Sequence, residues 1–256
     1  MRRLWRRALH TLGELGGVAL LLSRASLATF RRPWRIGEIA RQIEVIGYQS
    51  LSIVVLTAVF SSMVMTVQFA VQLARFGAKE YVGNVVSLSL VRELGPVLTA
   101  LMVGGRVGAG IAAELGSMKV TEQIDAMRAM GADPVKELVV PRVIAGAIAL
   151  PMLTVLANVL GVLGAMVIAR LDSGVNMTYF LTSTLHAVTL GDLFGGLTKT
   201  VFFGSAITLI ACKIGLATRG GTEGVGRATT QTVVVTSVVT LISDFVLTKG
   251  LLELGL

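Results

Sequence analysis

Cysteine occurs once in this chain, at Cys212, and histidine twice, at His10 and His186. One cysteine closes no intrachain disulfide and builds no thiolate metal cluster. The two isolated histidines assemble neither a zinc site nor a Ser-His-Asp arrangement. No G-x-x-x-x-G-K-[ST] string is present, so the chain does not cradle nucleotide phosphates in the P-loop manner. Charged residues are also scarce, at 15%, and aromatics stand at 5%. No catalytic residue, metal or cofactor is expected, and if ATP drives this protein, a partner subunit binds it.

What the chain does have is apolar length. Hydrophobic residues make up 54% and mean hydropathy is +0.78, against the roughly 45–50% apolar content of soluble domains. Its 256 residues fit one domain, with no linker, low-complexity tract or internal repeat. Five segments have about the 20 residues a membrane helix needs: 51–73, 94–113, 143–169, 197–217 and 232–248. Pro151 is expected to kink the third or mark a tilted entry, Lys199 interrupts the fourth near its start, and Pro96 fits the first turn of the second. The expected class is an all-α integral membrane protein.

A net charge of +8 with a pI near 10.2 would suggest nucleic acid in a soluble protein. The basic residues lie instead where a membrane protein keeps them. Residues 1–41 carry nine arginines, among them Arg2, Arg3, Arg6 and Arg7, interleaved with Leu4, Trp5, Leu9 and Leu12 at helical spacing. This reads as a basic amphipathic helix lying in the cytoplasmic interface, ahead of a membrane domain at 42–256. A cleaved signal peptide is the rival reading, but Glu14, Gly16 and Gly17 break into its short apolar core. With the N-terminus inside, Lys119, Arg128, Lys136, Arg142, Lys213, Arg219 and Arg227 also fall inside; only Arg75, Lys79, Arg170 and Lys249 fall outside. That asymmetry orients five spans with the N-terminus cytoplasmic and the C-terminus on the far side, and nucleic acid is not needed.

The chain is organised around residues 92–134. Arg92 and Glu93 stand just before the second span, either as a head-group-sized polar site at a cavity mouth or as interfacial residues snorkelling to water. Gly104, Gly105, Gly108 and Gly110 then make overlapping small-xxx-small pairs, packed within the monomer or at a subunit interface. Arg106 in that run needs a partner such as Glu114. From Thr121 to Met130 the chain is too polar to cross, with Ile124, Met127 and Met130 on one face and Glu122, Asp125 and Arg128 elsewhere. Thr121 can cap its start, Gly131 its end, and Pro134 stops it. This short helix, about 121–131, either docks a partner groove or lies on its own protein. On the first span, Gln68 and Gln72 share a face among Met65, Leu73 and Phe76, as a cavity wall or as interhelical glue.

The block LVRELGPVLTALMVGGRVGAGIAAELGSMKVTEQIDAMRAMGADPVKELVVPR, beginning at Leu90, resembles the signature of the MlaE/YrbE-type permease family. The likeness extends from about residue 40 to the end, including Gly226-Arg227-Ala228-Thr229-Thr230 and Asp244-Phe245-Val246-Leu247-Thr248. It implies a bacterial inner-membrane permease, homodimeric and non-catalytic, in an ABC transporter of phospholipid that maintains outer-membrane lipid asymmetry. The implied partners are a cytoplasmic ATPase dimer, which binds the ATP, a periplasmic Mce-domain hexamer and a STAS-domain protein. Coupling to the ATPase falls on Thr121, Glu122, Ile124, Asp125, Met127, Arg128 and Gly131. Lipid contact falls on Met65, Gln68, Gln72, Leu73, Phe76, Arg92 and Glu93; Phe76 stands where some relatives carry tyrosine. A gradient-driven secondary transporter or channel is the alternative, and the absence of an acidic residue in mid-span argues against it, Asp244 lying about four residues from the end of its span. Cysteine-accessibility labelling is expected to find residue 136 inside and residue 172 outside; both on one side would remove a span.

Overall fold

The computed structural model describes residues 36–253, which are helical and contain no strand. The basic amphipathic region therefore lies largely outside the described residues; only its end enters α1 (Ile36–Ile46). The helices that follow are α2 (Leu51–Arg75), α3 (Val82–Ser89), α4 (Gly95–Val103), α5 (Ala109–Val120) and α6 (Gln123–Ala129). After them come α7 (Val140–Ser173), α8 (Met177–Ala187), α9 (Leu190–Leu216) and α10 (Gly221–Glu253). Five stretches are long and apolar enough to cross a membrane: Ile36–Arg75, Lys79–Val120, Val135–Ser173, Leu190–Leu216 and Gly221–Glu253.

Three of these differ from the sequence expectation in ways that matter. The second is a 42-residue stretch in which α3, α4 and α5 are joined by π-turns at Leu90–Leu94 and Gly104–Gly108. Arg92, Glu93 and Pro96 thus sit inside a continuous helix and not at its mouth. The fourth begins at Leu190 and the fifth runs to Glu253, so Lys199 and Asp244 are interior as well. Helix α7 continues through Pro151. The amphipathic helix α8 was not foreseen, because its apolar residues alternate with threonines over too short a run.

The chain forms two compact units. The one comprising Val45–Val103, Ala147–Gly204 and residues 239–253 is built on close approach of α2 and α7. Val54, Ala58, Ser62, Thr66 and Ala70 recur every four residues as the buried row of α2. Opposite them, a side chain at Gly164 would stand 3.0 Å from Val59 Cγ1, and Ser62 Oγ donates to the Gly161 carbonyl at 2.6 Å. Buried Phe180 of α8 closes one end of this unit over Ala70, Val82, Val86, Ala165 and Ala169. Gly83 makes room, since any side chain there would meet Ser183 Oγ and Phe180.

The other unit takes in Gly104–Gly146 and Ser205–Val238 with residues 36–44. Helix α10 lays buried Thr232 and Thr236 against Gly104 and Gly108. The threonine hydroxyls bond back to their own helix, Thr232 to the Ala228 carbonyl at 2.8 Å and Thr236 to that of Thr232 at 2.7 Å. Their polar groups are therefore satisfied, and the methyls pack. Gly105 and Gly110 have nothing within 4 Å, so the glycine run packs on one face and is open on the other. Glu114, suggested as a partner for Arg106, pairs with Arg142 at 2.9 Å; the Arg142 side chain is 4% exposed and takes the carboxylate from α5. At Gly215 an added Cβ would lie 2.8 Å from Leu115 Cβ and 3.1 Å from the Ala112 carbonyl. Gly215→Ala is expected to cost about 1–3 kcal/mol from overpacking, read as a lower melting temperature in detergent. Gly226→Ala, with open space around it, should melt no lower than the parent.

Candidate functional site

The chemistry of the α2–α7 unit gathers around one ammonium group. Lys199 on α9 has a side chain only 3% exposed, and a buried charge needs partners. Its Nζ donates to Glu93 Oε2 at 2.8 Å, Thr248 Oγ1 at 2.6 Å and the Arg92 carbonyl at 3.1 Å, with Asp244 Oδ1 at 3.4 Å. Thr248 in turn reaches both Glu93 oxygens at 3.2 Å. The Arg92 carbonyl is available because Pro96, four residues on, has no N–H to give it. Pro96 therefore does cost a helical donor, contrary to its first-turn reading, and Lys199 replaces that donor. Gly196 allows the approach, since a Cβ there would sit 2.5 Å from the Val91 carbonyl.

Arg92 itself turns to a second carboxylate. Its Nε and Nη2 both reach Asp192 Oδ1, whose side chain is 1% exposed, while the arginine stays 41% exposed. Asp192 also caps α9. Its Oδ2 accepts from the Thr189 N–H at 2.8 Å and the Thr189 hydroxyl at 2.7 Å, and its own N–H donates back to Thr189 Oγ1 at 3.3 Å. This is a capping box with aspartate in the third position. A cavity of about 280 Å³ opens onto the group, lined by Arg92, Glu93, Lys199 and Thr248 with Leu88 and Leu251.

Of the expected lipid contacts, Arg92 and Glu93 come together here, but not at a helix end. Their partners Asp192, Lys199, Asp244 and Thr248 were missed as a group. Two signals for them exist in the sequence: the T-x-x-D string at Thr189, and ionisable residues inside apolar runs. The expectation that no acidic residue lies in mid-span fails at Glu93 and Asp244, because the helices extend further than apolar composition alone marks. Gln68 and Gln72 are exposed, on the face of α2 away from its buried row. Met65 is half-buried and Phe76, at the helix end, is 83% exposed. Leu73 packs on the Phe180 cluster. Among the described residues, no hydrogen bond or ion pair joins this set to Arg92 or Glu93.

In the other unit, α6 is shorter than the expected 121–131 helix. Thr121 does not cap it: its hydroxyl donates to the Ser117 carbonyl at 2.9 Å, completing α5. Glu122 takes the cap position in the left-handed conformation, with φ +60°. The far end matches expectation, with Gly131 at φ +81° donating to the Arg128 carbonyl and Ala132 to that of Met127, both at 3.0 Å. These two bonds form a Schellman motif. Ile124 is fully buried and anchors the helix to its own protein, whereas Met127 is half-buried and Met130 is 78% exposed. Asp125 faces out between Lys119 at 2.6 Å and Arg128 at 3.1 Å. The Lys119 hydrogen bond, chiefly, holds its carboxyl below the ordinary value.

Residues 39–249 match the family Permease MlaE. A probable ABC transporter permease protein of Rickettsia felis is 41% identical over 244 residues, 95% of this chain and 94% of its own. A probable ABC transporter permease protein of Synechocystis is 45% identical over 206 residues, covering 80% and 78%. The intermembrane phospholipid transport system permease protein MlaE of Haemophilus influenzae is 40% identical over 218 residues, covering 85% and 84%. With five apolar helical stretches and matches over most of its length, the chain belongs to the MlaE permease family.

Proposed function

We propose that this chain is the membrane subunit of an ABC transporter that moves phospholipid between the inner membrane and a periplasmic Mce-domain shuttle, maintaining outer-membrane lipid asymmetry. The observation that carries the reading is the charged group around Lys199, set in an apolar unit and open to a cavity of head-group size. The name of the Haemophilus relative supports phospholipid as the cargo. Arg92 has five N–H donors, and Asp192 engages only part of that fork. The remainder is free to make charge-assisted bonds to a lipid phosphate, while Glu93, 39% exposed, meets an amine. Gln68, Gln72, Met65, Leu73 and Phe76 line the path of the tails along α2, the methionine adapting to their shape.

The permease works as a homodimer, with its N-terminus cytoplasmic, its C-terminus periplasmic and a Mce-domain hexamer on its outer side. A cytoplasmic ATPase dimer, joined by a STAS-domain protein, docks on α6 and the residues around it. Ile124 seats the helix, so Asp125, Met127, Arg128 and Met130 supply the contact. Interior Glu93 and Asp244 remove the objection to a gradient-driven transporter, which would be told apart by the absence of an ATPase from a co-purified complex.

Asp125→Lys is expected to cut ATP-driven lipid transfer at least about tenfold, by loss of a charge-assisted pair, with folding intact. Normal co-purification and lipid-stimulated hydrolysis by that variant would remove α6 from the coupling. A carboxyl held below its ordinary value keeps its pairing above that value and loses it only in acid, so coupling should be flat around neutral pH. For the cavity, photo-crosslinkers at residues 65, 72 and 76 are expected to capture lipid and one at 241 much less. Arg92→Ala should slow transfer by about tenfold or more, the scale of one hydrogen bond to a charged group, with expression little changed. Equal capture at all four sites and normal transfer by Arg92→Ala would put the lipid path elsewhere.

A further inference from the structure

Where α9 gives way to α10, three basic residues surround a pocket that the transport reading leaves without a task. Lys213 from the last turn of α9, Arg219 from the connecting turn and Arg227 from the second turn of α10 line a cavity of about 290 Å³. Buried Ile214 and Ala228 supply its apolar wall. The turn has a defined geometry. Gly220 and Gly221 take φ of +91° and +66°, in the left-handed region open to glycine. Any side chain at Gly224 would run into the Arg219 carbonyl, so the bare helix there lets the turn close and fixes where Arg219 emerges. Thr218, 6% exposed, is tied to the Ile214 carbonyl at 3.2 Å.

Two exposed arginines face the pocket beside one exposed carboxylate. Glu223 pairs with Arg227 at 2.8 Å, but both side chains are at least 75% exposed, and such a pair on a helix surface is weak. Lys213, which has an interaction of its own within the chain, lines the pocket beside the arginines. The exposed arginines have the planar fork that binds phosphate bidentately. The pocket lies at the junction of two helices long and apolar enough to cross a membrane, and basic pockets between such helices on the cytoplasmic side suit anionic head groups. Along α10 from Gln231 at the rim, Val234 and Val238 are exposed one turn apart, giving an acyl chain an apolar face beside the phosphate.

We propose that this pocket binds the phosphoryl group of an anionic phospholipid, as a site separate from the Lys199 cavity. Free phosphate shares the chemistry but makes no use of the valine face. The test titrates the full-length protein in neutral detergent with short-chain phosphatidylglycerol, short-chain phosphatidylcholine and inorganic phosphate, read by thermophoresis. Phosphatidylglycerol is expected to bind the parent protein, more weakly as salt is added. Arg219→Gln with Arg227→Gln should weaken it by about tenfold or more, about the worth of one lost charge-assisted contact. Arg219→Lys with Arg227→Lys should keep part of the affinity, and phosphatidylcholine should bind all three proteins alike. If the glutamine variant fails to fold, the lysine variant and the salt dependence of the parent decide the matter. Saturable binding of inorganic phosphate without phosphatidylglycerol would keep the phosphoryl chemistry but assign it to a soluble ion. Equal phosphatidylglycerol affinity in the parent and a folded glutamine variant would overturn the proposal. So would unchanged lipid binding with loss of a co-purifying ATPase, which would give the arginines to an acidic protein surface.

Discussion

The Nζ of Lys199 is the fixed point of the α2–α7 unit. A charge with 3% of its side chain exposed is stable only while its partners stay in register, and those partners come from two other helical stretches. Glu93 and the Arg92 carbonyl hold the Lys79–Val120 stretch to α9; Asp244 and Thr248 hold α10. Breaking a buried pair typically costs about 3–5 kcal/mol, and the half-open Glu93 puts this one at the lower end. The π-turn at Leu90–Leu94 and the missing donor of Pro96 belong to the same arrangement, since they free the carbonyl that the lysine takes. Irregular backbone next to ionisable groups is a common mark of function in a membrane helix.

Around that point, close packing depends on residues with little or no side chain. Gly196 brings α9 against Val91, Gly161 and Gly164 bring α7 against α2, and Gly215 brings α9 against α5. In lipid there is no hydrophobic drive between apolar helices, so contact area and satisfied polar groups must hold them. Glycine provides the area and threonine the polarity, the hydroxyls of Thr232 and Thr236 being returned to the preceding turn of their own helix. The same economy serves Asp192, which caps α9 with one oxygen and holds Arg92 with the other.

Helix α6 shows how anchoring and exposure are divided. Buried Ile124 and the Schellman motif at Gly131 fix the helix to its own unit, leaving Asp125 and Met130 outward. A rigid element with a charged and an apolar contact on its open side suits the docking role proposed for it.

Composition alone determined the helical membrane class and the number of apolar stretches, because lipid admits only long apolar helices and permits few charges along them; the family was legible in the ordered block that begins at Leu90. Gly131 was legible for a similar reason: a left-handed cap after an amphipathic run is a local requirement. Helix lengths were not legible. Charges at 92, 93 and 244 looked like residues at or near span ends, since a sequence shows an ionisable residue but not the partner that lets it stay inside. Only tertiary structure brings Lys199 to Glu93, 106 residues away, and turns apparent interface residues into interior ones. It likewise decided that Arg142 takes Glu114, that Thr121 completes α5 and does not cap α6, and that Ile124 faces inward. Each of these depends on which helix lies opposite, and helical periodicity fixes the faces of a helix but not its neighbours.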